Sequence, residues 1–147
     1  YAKGEEDEAL NNLLPFAREH AKKFWVWTLL GDLHKNDKEI QIACYCRGLL
    51  SKDPDKMKVK MHQKLAALLV EKENFPEAKY EINKAVEIRK QNGWKVPNQM
   101  KNWMNQQWYA VADIPKSNIG FYKYFSLKVI RAQILMALFP ITVNTSV

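Results

Sequence analysis

The chain has 147 residues, 47% of them hydrophobic and 27% charged, which are the proportions of a folded domain and exclude a disordered or fibrous one. At this length one domain buries roughly two-thirds of its unfolded surface, and only eleven Gly and Pro residues interrupt it, so an all-helical domain is expected. The net charge of +7 is uneven: Glu5, Glu6, Asp7 and Glu8 against Lys3 leave residues 1–8 at −3 and the remainder at +10, a basic excess that suits nucleic acid or an acidic protein, although Lys is also the ordinary solubilising residue.

Seven helical segments are predicted. Residues 7–20 carry the stripe Leu10, Leu13, Leu14 and Ala17, with Pro15 kinking or restarting the helix. Residues 21–34 place Phe24, Trp27 and Leu30 inward and end at the polar cluster Lys35-Asn36-Asp37. Residues 37–51 follow, with Ile40, Ala43, Cys44 and Leu50 inward. Cys44 and Cys46, the two cysteines, point to nearly opposite sides of that helix, so they neither pair nor chelate together. They are expected to be buried, reduced thiols of a cytoplasmic protein.

Asp53-Pro54 is a start signal, Asp as N-cap and Pro at the first helical position, for a fourth helix over residues 54–72. Its inward residues are Met57, Met61, Leu65, Leu68 and Leu69. Asn74-Phe75-Pro76 repeats the signal for a fifth helix to about residue 91, which Gly93 terminates, with Ala78, Ile82, Ala85 and Val86 inward. A sixth, residues 97–112, lines up Met100, Trp103, Met104, Trp108 and Val111. After Asp113-Ile114-Pro115, Ser117 caps a seventh over residues 118–139, with Ile119, Tyr122, Phe125, Val129, Ala132, Met136 and Phe139 on one face. From Leu127 onward that helix is apolar on its other sides as well, which marks deep burial or a missing neighbour, including a second copy of the chain. Arg131 and Gln133 interrupt the run, and it is too short to span a bilayer. Pro140 stops it, and residues 141–147 alternate like a strand that an all-helical domain cannot pair. The expected organisation is thus a helical domain at 1–139 and a tail at 140–147, either disordered or the start of a truncated β domain. The opening Tyr1 and the lack of a signal peptide point the same way, to a fragment of a larger intracellular protein.

A helix–turn–helix pattern recurs within this order. Trp27, Leu30, Gly31 and His34 reproduce W-x2-L-G-x2-Y with His for Tyr, and His62, Leu65, Ala66 and Leu69 repeat those positions 35 residues later. Phe75, Ala78, Ile82 and Ala85 complete the second unit, while in the first Ala43 fits the small position and Arg47 replaces an apolar residue. A period of about 34 residues is what stacked helical pairs require, because one pair cannot bury its apolar face alone. Residues 24–92 resemble tetratricopeptide-like (TPR-like) repeats, most closely at 59–92; His62 and Lys90 depart from the pattern's aromatic and Pro, and 1–23 and 93–147 carry no such motif. The resemblance implies antiparallel helix pairs stacked into a right-handed α-solenoid whose concave face binds peptides or protein segments. The runs Leu14-Pro15-Phe16-Ala17, Phe24-Trp25-Val26-Trp27 and Asn92-Gly93-Trp94 also look like those of bacterial proteins in which a helical module precedes a cold-shock-like or other small β domain.

Nothing in the pattern points to catalysis, a cofactor or a metal. His20, His34 and His62 are scattered and expected to be exposed or half-buried, and no zinc spacing, nucleophile elbow or phosphate loop occurs. Lys56, Lys60 and Lys64 recur at i, i+4 and i+8, with Lys58 to the side, forming a ridge that could follow a phosphate backbone or be a plain solvent face. Trp94 beside Lys95, and Tyr122 and Tyr124 around Lys123, are candidate stacking platforms; helical periodicity explains most aromatics as core but leaves Trp94 open. The expected function is a non-enzymatic scaffold that binds a protein segment or docks a neighbouring domain through Arg47, Lys60, Lys64 and Trp94. The alternatives are a nucleic-acid-associated domain using the same cations and a unit that self-assembles through residues 127–139.

Overall fold

The computed structural model describes residues 24–127. They form α1 (Phe24–Leu33), α2 (Lys38–Leu49), α3 (Val59–Glu71), α4 (Phe75–Gln91), α5 (Asn98–Met104), α6 (Gln107–Val111) and α7 (Ile119–Phe125), with a 3-10 turn at Asp55–Met57. No strand occurs among the described residues, and the all-α class is what they adopt. None of their helices is long and apolar enough to cross a membrane. The expected helix at 7–20, the continuation of the last helix beyond residue 127, the tail at 140–147 and His20 lie outside the described residues. Two compact units result, one of residues 24–51 with 121–127 and the other of residues 52–120.

In the first unit, α1 packs along α2, and the four-residue connection between them forces the pair antiparallel. Asp37 starts α2: its extended backbone carries a carboxylate that accepts the Ile40 N–H at 3.2 Å. Trp27 and Leu30 of α1 are buried, as are Ile42, Ala43, Cys44, Tyr45 and Cys46 of α2. Five consecutive buried residues enclose α2 on every side, a wider burial than the single face its spacing predicts. Gly31 sits where the helices come closest. A Cβ there would stand 2.6 Å from the Tyr45 ring, whose hydroxyl donates to Asp32 at 2.5 Å. Both cysteines are free and buried, and burial pushes the Cys44 thiol well above the usual range.

In the second unit, α3 packs along α4 through a tight connection in which Glu73 takes a left-handed φ of 59° and the Asn74 N–H closes on the Leu69 carbonyl at 2.9 Å. Ala66, Ala78 and Ala85 have no exposed surface, as their small size predicts for points of close approach. Ala66, Ile82, Ala85, Val86, Ile88 and Met100 form the core, with Trp103, Met104, Trp108 and Tyr109 packed against it.

Two expected helices are broken. The helix expected from Pro54 begins instead as a 3-10 turn, and α3 starts at Val59. Three residues per turn rotate side chains by about 120° rather than 100°, so Met57 is 52% exposed instead of inward and Lys58 is buried instead of solvent-facing. The helix expected over 97–112 divides at Gln106, whose backbone is extended. The break lets Trp108 stack on Phe75, with ring centroids 4.6 Å apart, and the Tyr109 hydroxyl bond Asn83. Val111 is consequently 71% exposed, and Ile119 is also exposed rather than inward.

Candidate binding groove

On α3, Lys60, Gln63, Lys64 and Ala67 follow the i, i+3, i+4, i+7 spacing that places side chains along one stripe. Arg89 in the last turn of α4, with Pro97 and Gln99 at the start of α5, faces that stripe, and together they line a cavity of 480 Å³. An adjoining recess of 360 Å³ is lined by Lys56, Met57, Val59 and Trp94, with Lys60 and Arg89 shared between the two.

The local sequence sets this arrangement. Gly93 ends α4 with a φ of 69°, a conformation only Gly adopts freely, and the Trp94 N–H returns to the Arg89 carbonyl at 2.8 Å. That reversal leaves Trp94 41% exposed beside the groove. Arg89 donates from Nη1 to the Lys95 carbonyl at 3.3 Å and from Nη2 to Gln63 Oε1 at 3.2 Å. Gln63 Nε2 in turn donates to Gln99 Oε1 at 3.1 Å, so one relay ties α4, α3 and α5. The 3-10 turn carrying Lys56 and Met57 is pinned by Asp55, 3.3 Å from the Lys84 ammonium. Desolvation pulls the Lys84 pKa down, but the charge of Asp55 and its hydrogen bond, with smaller contributions from Glu87 and Tyr80, together outweigh this and hold it above the ordinary lysine value.

The described residues lining the groove include four cations and no carboxylate. Among the described residues Lys56 and Lys60 have no ion-pair partner, and the Arg89 hydrogen bonds go to neutral oxygens. A surface of uncompensated positive charge attracts anions.

Of the four residues predicted to bind a partner, Lys60, Lys64 and Trp94 line this groove. Arg47 does not; it belongs to the first unit, exposed on α2, with its guanidinium 5.9 Å from the Trp27 ring centroid. Sequence reasoning missed Arg89, Gln63 and Gln99. Spacing from Lys60 and Lys64 was a usable signal for Gln63, whereas the other two come from different elements. Of the other aromatic platform, Tyr122 is buried and only Tyr124 is exposed.

The two histidines among the described residues have structural partners. His34 is half-buried, its Nδ1 2.7 Å from the Leu30 carbonyl. Contrary to expectation His62 is buried, its Nδ1 2.7 Å from Glu81 Oε1. The other Glu81 oxygen accepts from Asn118 Nδ2 at 2.7 Å, and that amide also donates to the Glu77 carbonyl at 3.1 Å. Among the described residues no three His, Cys, Asp or Glu side chains converge as a metal site would require.

No curated protein and no solved structure matches the chain. The family model described as a domain of unknown function, DUF7017, matches residues 1–128, most of the length, and the chain belongs to that family.

Proposed function

We propose that this chain is a non-enzymatic interaction module in which TPR-like hairpins form a right-handed solenoid fragment and the groove of the second unit holds a segment of a partner protein or of an adjoining domain. The observation that carries this reading is the groove itself: uncompensated Lys60 and Arg89 beside a half-exposed Trp94, framed by amides and small residues. Such a lining recognises charge and shape and offers no paired acid and base for turnover. The 35-residue recurrence is consistent with stacked pairs, as are the buried small residues of the second hairpin and the close approach at Gly31. A second reading, nucleic-acid binding, draws on Lys56, Lys60 and Lys64 lining one side.

The test is fluorescence anisotropy with labelled poly-L-glutamate and labelled oligouridylate, at about 50 and 200 mM salt. Poly-L-glutamate should bind the native chain and lose affinity in Lys60→Glu/Lys64→Glu at unchanged helicity. Equal binding by that variant, or no binding of either polymer, refutes the groove assignment. Tighter binding of oligouridylate, weakening steeply with salt, replaces this reading with the second.

A further inference from the structure

We propose that the smaller recess captures the C-terminal residue of a partner chain, its free carboxylate on Lys56 and Lys60 and its apolar side chain against Met57 and Trp94; this rests on the protein-binding reading above. Three features of the recess specify that occupant.

The first is hydrogen-bond polarity. The side chains lining the recess are those of Lys56, Met57, Val59, Lys60, Arg89 and Trp94, and none of them carries an oxygen. Every nitrogen among them is an N–H donor, so a ligand must bring the acceptors. An ionised carboxylate is acceptor-only and compensates the charge as well. Arg89 already donates from both terminal nitrogens, to the Lys95 carbonyl and Gln63, and its Nε is enclosed without an acceptor. Lys56 and Lys60 are exposed and have no partner among the described residues, so they are the cations able to close on an anion.

The second is the hydrocarbon beside those cations. Met57 is 52% and Trp94 41% exposed, and both line the same space of 360 Å³. That volume lies near the lower end of the roughly 300–1,000 Å³ typical of ligand clefts. It suits one residue with its charged group, and covering Met57 and Trp94 removes apolar surface from water.

The third is that charge and hydrocarbon are offered in one place. Along an extended segment neighbouring side chains project to opposite faces, so an internal acid and the apolar residue next to it do not enter one recess together. A C-terminal residue carries its carboxylate and its side chain on a single Cα and brings both in at once. Lys60 and Arg89 also line the larger cavity, so the residues before the terminal one continue into that space. Nucleic acid matches less well. A nucleobase edge presents donors as well as acceptors, and no side chain of the recess carries an oxygen to accept from them.

The experiment is fluorescence anisotropy on the full chain with four N-terminally labelled peptides at one salt concentration. They are Gly-Ser-Gly-Ser-Phe with a free terminal carboxylate, the same peptide amidated, Gly-Ser-Gly-Glu-Phe amidated, and Gly-Ser-Gly-Ser-Gly with a free carboxylate. The first should bind at least about tenfold more tightly than either amide, and several-fold more tightly than the glycine-ended peptide. Lys56→Met/Lys60→Met should abolish the preference for acid over amide. Trp94→Ala should abolish the preference for Phe over Gly and keep the other. All three replaced residues are exposed, so the core stays intact, and circular dichroism verifies this. Equal affinity of the free acid and either amide overturns the terminal-residue inference, as does a preference for acid that survives in the double variant. Failure of all four peptides while poly-L-glutamate still binds overturns this inference and leaves protein binding standing. Failure of poly-L-glutamate as well, or displacement of the first peptide by oligouridylate at lower concentration, overturns the protein-binding reading itself.

Discussion

Replacing Gly31 by Ala measures how tightly the first hairpin is closed. In the middle of a helix this change ordinarily gains about 0.5–1 kcal/mol, because Gly loses more backbone freedom on folding. Here the new methyl carbon would lie 2.6, 3.0 and 3.1 Å from three atoms of the Tyr45 ring. The ring cannot swing away freely: Tyr45 is 3% exposed, and its hydroxyl is held by Asp32. Forcing a methyl group into a filled core costs about 1–3 kcal/mol. The difference predicts a net loss of about 1 kcal/mol, and at most about 2.5 kcal/mol, read from urea denaturation followed by far-ultraviolet circular dichroism. Gly120→Ala is the internal control, since nothing lies within 4 Å of its added carbon in α7. That variant should be neutral or slightly more stable. If Gly31→Ala matches or exceeds Gly120→Ala in stability, the ring yields and the close approach is not what makes glycine necessary.

Other outcomes follow from the same geometry. Glu81→Ala leaves His62 and Asn118 buried without their shared acceptor and should destabilise the chain by about 3 kcal/mol; a loss below about 1 kcal/mol in urea would show that the cluster contributes little. Gly93→Ala should cost about 1 kcal/mol through its positive φ alone, with no steric contribution, while Glu73→Gly, at φ 59°, should gain stability; shifts of the same sign in thermal melts would refute the strain argument. Burial raises the Tyr45 phenol, aided by its bond to Asp32, and burial also raises that of Tyr109. A folded-state value above the unfolded one near pH 10 means that their contribution is complete below pH 10 and is lost as pH climbs through the folded values. Phenolate absorbance should therefore show Tyr45 and Tyr109 ionising late, with stability falling over the same range, and Tyr45→Phe should remove one late-ionising phenol.

Helical periodicity exposed the hairpins because it reads local facts: Asp37 before α2, Pro76 in the first turn of α4, Gly93 after it, and alanines at 66, 78 and 85. It failed where the local rule changed. A single period assigned to residues 54–72 cannot anticipate the 3-10 turn that turns Met57 out and Lys58 in. Nor does it foresee that Phe75 and Asn83 draw Trp108 and Tyr109 onto α4, dividing the following helix. The site was legible in proportion to its locality. Lys60 and Lys64 share a helix face and could be read together, and Trp94 stood out because periodicity left it unexplained. Arg89 and Gln99 join them only through tertiary packing, and Arg47, grouped with them by charge, belongs to the other unit.

The enclosure of Cys44 and Cys46 provides a clock for one half of the chain. A thiol that is protonated and shielded from solvent does not react with an alkylating reagent until the fold around it parts. Both thiols sit in the first unit and the second has none, so labelling rates report how often the packing around α2 opens.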